Sequence, residues 1–278
     1  MAENHRLAHL RRFGERNSGA SETEGHYDVR RGAAAYAPIV GAFGALAVPT
    51  VTVLFTSAHP GKKILVTLAT GLLVVAIIAS LTGSVGLAAI GAERDETANL
   101  PPAVMYLAVA IVVEIVSVLA AFEVLAAIHV RSARPLFASI TAVGGLAGVY
   151  FTSFAVGDSH GTGPRHPRIR RAWVKEQWVQ DQKDAYAKAN RLAAIGSVPI
   201  FAAVLVRIFI GHFKPNNGSV YTLVGVGLAL AMAGVFLGVQ RTAHALTNED
   251  QKGLRGYEAY STTVAASLYT AALILFLP

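Results

Sequence analysis

The sequence predicts an all-α fold, a polytopic transmembrane bundle of seven spans with the N-terminus cytoplasmic and the C-terminus outside. Three observations lead there. Seven apolar runs, near 34–56, 64–92, 102–129, 135–156, 192–213, 219–246 and 259–277, each reach about the 20 residues that carry a helix across roughly 30 Å of hydrocarbon. Hydrophobic residues make up 53% of the 278-residue chain and charged ones 15%, whereas a soluble domain carries about 25% charged residues. The basic residues are also unevenly shared. With the N-terminus inside, 18 Lys and Arg fall on the inner side, in the arm, the inner connections and, as Arg241, the inner end of span six. The outer connections hold Lys62, Lys63, Arg131, Arg134 and Lys214, and Arg207 lies within a span. An excess of Lys and Arg marks the cytoplasmic side.

The chain divides into an N-terminal basic arm, 1–33, and a membrane domain, 34–278. The arm mixes charges of both signs and has no apolar centre, unlike a cleavable signal peptide. Glu3, Glu15, Glu22, Glu24 and Asp28 also set it apart from a mitochondrial presequence. His5 to Phe13 could form a short amphipathic helix on an anionic membrane surface; a solvated tail is the simpler expectation. Pro38, Pro49 and Pro199 fall inside spans one and five and could kink them. Spans four and six carry GxxxG pairs, Gly144/Gly148 and Gly234/Gly238, which let helix backbones approach closely in lipid. Packing within one bundle is the ordinary use of such pairs, and a homo-oligomer interface is the other.

Outer connections are short, so the aqueous mass is expected on the cytoplasmic face, chiefly in an interfacial segment, 157–191. Its start, Gly157-Asp158-Ser159-His160-Gly161-Thr162-Gly163-Pro164, is rich in turn formers and predicts a mobile turn region. From about Pro167 to Arg191 the composition suits a helix lying on the inner surface or running straight into span five. There Arg168, Arg170, Arg171, Trp173 and Trp178 are the candidates for contact with anionic lipid or a cytoplasmic protein partner. Basic side chains attract anionic headgroups, and indole rings prefer the membrane interface. This clustering beside a span points away from nucleic acid.

Ionisable groups at membrane depth are costly to leave facing lipid, which makes them functional candidates. Three stand out: Glu114, Glu123 and Arg207. The nine-residue separation of the glutamates turns them about half a turn apart and shifts them about 13 Å along the axis. Arg207 can pair with either one, leaving the other protonated, hydrogen-bonded or wet. The pair would fix helix register or take part in a proton or cation relay. Span seven carries hydroxyls at steps of three and four, Tyr257, Tyr260, Thr263, Ser267 and Thr270, which are expected on one face. They would line a cavity or bond to neighbouring backbones.

Chemistry with a recognisable signature is missing. There is no Cys, hence no disulfide, thiolate metal site or Cys nucleophile. No phosphate-binding P-loop, HExxH zinc helix or GxSxG elbow occurs, and span seven has no Lys for a retinal Schiff base. His59, His129 and His212 all fall at the outer boundary but come from separate segments, which makes them weak metal candidates. No cofactor is expected. Rich Ala, Val, Gly and Arg usage suggests a bacterial inner (plasma) membrane. On sequence grounds the leading expectation is a non-catalytic membrane anchor, scaffold or accessory subunit that docks a partner on the cytoplasmic face. The alternative is an ion or small-solute transporter or channel using Glu114, Glu123 and Arg207.

Overall fold

The computed structural model describes residues 29–56, 61–92, 100–161, 172–211, 213–247 and 256–278. Seven α-helices account for nearly all of them: α1 (Val29–Thr56), α2 (Lys63–Gly91), α3 (Leu100–His129), α4 (Arg134–Gly161), α5 (Ala172–Phe209), α6 (Asn217–Thr247) and α7 (Gly256–Phe276), with a single 3₁₀ turn at Arg131–Ala133. Among the described residues there is no strand, and all seven helices are long and apolar enough to cross a membrane. The fold is that of a multi-pass membrane protein.

Helix α3 forms the axis of the bundle. It is apolar on every side, and such a helix is stable only when enclosed. In its most apolar stretch 83% of residues are buried, against 22 to 56% in the other six. Helices α1, α2, α4, α6 and α7 pack directly on it, while α5 lies outside, against α4 and α7. Without a hydrophobic driving force between helices in lipid, close approach of backbones must supply the attraction. The glycines provide it. A Cβ on Gly148 would meet Val112 Cγ1 at 2.7 Å, and one on Gly234 would meet the Tyr106 carbonyl oxygen at 2.7 Å. Gly144 faces Leu119, and Gly238 faces Leu107 and the Ala103 carbonyl. Both GxxxG pairs are therefore spent inside the bundle, gripping α3.

Two expectations need correction. Residues 157–161, expected to form a mobile turn, continue α4 as helix to Gly161. Their turn-forming composition is overridden by extension from the span before them, because adding a residue to an existing helix is far easier than starting one. Beyond them, 162–171 lies outside the described residues. The second correction concerns span five. Its helix begins at Ala172 and runs unbroken for 38 residues, through Pro199, to Phe209, so of the two courses expected for the segment before the span, it takes the one straight into it. The span itself, Tyr186–Phe209, stops short of 213. Gly211 follows the helix with a φ of +99°, a left-handed conformation open to glycine at no steric cost.

One end of the bundle is tied together by its connections. Lys62 Nζ donates to the Ile128 carbonyl at 2.5 Å, satisfying an acceptor at the end of α3, where cations are favoured by the helix dipole. The Phe213 amide donates to the Leu275 carbonyl at 2.8 Å. These bonds meet the carbonyl groups that a helix C-terminus leaves without partners.

Candidate functional site

The polar groups inside the bundle fall into three stations along α3. The middle station is Glu114. It lies about 21 Å from either end of the helix, is fully buried, and neither carboxyl oxygen has a hydrogen-bond partner. Ser80 of α2 lies beside it, but the Ser80 hydroxyl donates to the Val40 carbonyl of α1 at 2.6 Å. A serine has one proton to give, and here it bridges α2 to α1.

The second station sits near the end of α3. Glu123 is fully buried and its Oε1 accepts from Arg207 Nη2 of α5. Arg207 also donates through Nη1 to the Ile274 carbonyl at 3.0 Å and through Nη2 to the Pro278 oxygen at 2.9 Å. Arg134, the first residue of α4, donates from Nε to the same Pro278 oxygen. Glu123 Oε2 has no hydrogen-bond partner. Of the two pairings open to Arg207, the structure makes the one with Glu123. Arg207 stands in the last turn of α5, at the end of the bundle where Glu123 lies, and Glu114 is about 13 Å away along α3.

The third station, at the opposite end of α3, goes beyond what hydropathy predicts. Glu258 in the first turn of α7 is buried and accepts from Arg241 Nη2 of α6. The Tyr106 hydroxyl of α3 lies within hydrogen-bond reach of both. Hydropathy alone puts Arg241 in the last turns of span six and Glu258 at the end of the connection that follows, whereas the last helix already begins at Gly256. A usable signal exists in the sequence: a lone acid within the first turn of a span is favoured by the helix dipole and invites a basic partner one connection away.

The span-seven hydroxyls do not form one stripe. Tyr257 and Tyr260 are exposed, and Thr263, Ser267 and Thr270 are fully buried. At about 100° per residue, each step of three slips about 60° backwards, so the row slides off its starting face. Ser267 donates to the Gly196 carbonyl of α5, and Thr270 donates to the Ala266 carbonyl at 2.9 Å within its own helix. Thr263 Oγ1 is buried without a hydrogen-bond partner. A residue outside the row, Tyr269, joins α7 to α3 through a 2.9 Å hydrogen bond between its hydroxyl and Ser117 Oγ.

The remaining candidates are less informative. His129 is exposed at the end of α3, while His59 and His212 lie outside the described residues. No group of three or more His, Cys, Asp or Glu able to hold a metal occurs among the described residues. Arg168, Arg170 and Arg171 also lie outside the described residues. Trp173 and Trp178 fall on the backbone of α5, with their side chains outside what is described. No protein-family model, curated protein or solved structure matches the chain, so its chemistry has to be read from these three stations.

Proposed function

We propose that the protein moves protons or a small cation across the membrane, with Glu114 as the exchanging group. The observation that carries this reading is a carboxyl group buried in the middle of the central helix with neither oxygen bonded. An isolated carboxylate in such a place costs tens of kcal/mol by a Born estimate, and roughly several in practice, unless it is neutralised by a proton or cation. Packing alone gives no reason to keep one there. The other two stations support the same reading. Each is an ion pair that closes one end of the bundle around α3, Glu123–Arg207 at one end and Glu258–Arg241 at the other. Opening one pair at a time would admit water to Glu114 from one side only, which is the requirement for alternating access.

The orientation belonging to this reading has the N-terminus cytoplasmic, in a bacterial plasma membrane, with the Glu258–Arg241 pair on the inner side. The absence of native Cys makes a direct check simple. A single Cys introduced at Lys214 should react with an impermeant maleimide added outside intact cells.

For function, purified protein in liposomes carrying an internal pH dye should pass protons or exchange a cation for them. Glu114→Gln should abolish that flux with an unchanged melting transition. Flux surviving in the variant would remove the reading.

A second reading, an anchor or scaffold for a cytoplasmic partner, is favoured by the reach of α5. The apolar part of that helix is Tyr186–Phe209, and a further 14 residues, Ala172–Ala185, continue it about 21 Å past the span. In a scaffold, changing Trp173 and Trp178 would release a stoichiometric partner and changing Glu114 would not.

A further inference from the structure

A cavity of about 450 Å³ lies between α4 and α5, open on its outer side and backed by Ile274 of α7. Its lining is graded. At one end stand two guanidiniums, Arg134 from the first residue of α4 and Arg207 from the last turn of α5. Deeper along the same helices the wall becomes mostly apolar: Ala138 and Ala142 lie one and two turns into α4, and Val204 lies one turn before Arg207, while Ser139 lines it with its hydroxyl bonded to the Pro135 carbonyl of its own helix. Cations at the membrane edge above a smooth aliphatic slot reproduce, in reverse, the polarity of a phospholipid.

The charge around the cavity has the matching sign. The connections at this end, 57–62, 130–133 and 210–216, contain Lys62, Arg131 and Lys214 and no Asp or Glu; Lys63 opens α2 beside them. Among the described residues, the acidic side chain set against Arg134 and Arg207 is Glu123, which leaves the surrounding rim positive. Guanidinium is suited to phosphate because its planar fork matches paired oxygens and it is weakly hydrated.

We infer that this cavity holds an anionic phospholipid, its phosphate between Arg134 and Arg207 and one acyl chain along Ala138, Ala142, Val204 and Ile274. The lipid seals the open side of the cavity beside two guanidiniums that also hold Glu123 and the Pro278 oxygen. This site lies at the opposite end of α5 from Ala172 and does not depend on the role of Glu114.

The test uses the full chain in mixed micelles containing phosphatidylglycerol, phosphatidylcholine or inorganic phosphate, with melting temperature and bound lipid by native mass spectrometry as readouts. Phosphatidylglycerol should raise the melting temperature and remain bound at about one copy; phosphatidylcholine and inorganic phosphate should do neither. Ala138→Phe fills the slot while keeping both arginines, and should remove both effects. Arg134→Gln should weaken retention about tenfold. If Ala138→Phe shows no melting transition, the milder Ala142→Leu takes its place. Full lipid retention in the slot-filling variant overturns the inference. So does an equal shift with inorganic phosphate, which would make the arginines a site for a soluble anion.

Discussion

Glu114 and Glu123 share one helix and one degree of burial, yet Arg207 bonds to Glu123. Among the described residues the Glu114 oxygens have no ionic partner and only the Ser80 hydroxyl, itself bonded to the Val40 carbonyl, beside them. Nine residues of helix place them on opposite sides of α3. Glu123 thus faces the cleft reached from α5, and Glu114 is turned toward the α2 side, where Ser80 lies. This division separates a structural pair from an unsatisfied group, and the consequences can be measured independently.

For Glu114, the folded state should be insensitive to charge and sensitive to shape. Glu114→Gln should change stability by less than about 1 kcal/mol, and Glu114→Leu should be neutral or stabilising, because replacing an unpaired buried polar group removes a desolvation penalty. Thermal melts of the two variants in one detergent check this. Strong destabilisation by Leu would show that the carboxyl has a partner after all.

For the Glu123–Arg207 pair, breaking it from one side should be worse than removing both charges. Arg207→Gln leaves a buried carboxyl uncompensated and should cost about 3–5 kcal/mol. The double variant with Glu123→Gln should recover part of that loss. Recovery should stay incomplete, since Arg207 also holds the Ile274 and Pro278 oxygens. A double-mutant cycle by denaturant unfolding reads the coupling directly.

For the glycine contacts, position decides the sign. Gly234→Ala drives a methyl to 2.7 Å from the Tyr106 carbonyl oxygen, and overpacking of that kind typically costs about 1–3 kcal/mol. Gly225 lies on the same helix, and a methyl group added there would meet nothing within 4 Å. At that position the substitution should stabilise by up to about 1 kcal/mol through helix propensity. Comparing the two melting temperatures tests whether α6 grips α3 through the Gly234 face.

For the α3–α7 contact, Tyr269→Phe should cost about 0.6 kcal/mol, the average for a hydrogen bond between membrane helices. It removes the 2.9 Å bond to Ser117 and keeps the ring. A loss several times larger would mean that the hydroxyl belongs to a wider network.

Hydropathy makes the seven spans legible because lipid imposes one demand on every residue of a crossing helix. Burial between helices is far less legible, since the same apolar residues face lipid and neighbour alike. Leu68 is fully buried and Leu81 is exposed, with nothing in either residue to say which. Glu114 and Glu123 stand out in the sequence because charge is rare at that depth, but their different fates depend on which way α3 is turned. Arg241 and Glu258 are harder to single out because they stand where spans six and seven give way to the connection between them. Helix α7 takes in Glu258, which meets Tyr106 and Arg241 in the end turns of their helices.

The unbroken course of α5 gives the molecule a built-in pointer. Asp184 lies 25 residues before Phe209 on one continuous helix, about 37 Å away along its axis. A tilt of about 10° pivoting near Arg207 would therefore swing a label at position 184 by roughly 6 Å, by the same rise per residue. Spin or fluorescence distances from that position to a fixed point on α6 would convert small rearrangements around the Glu123 pair into displacements large enough to follow in real time.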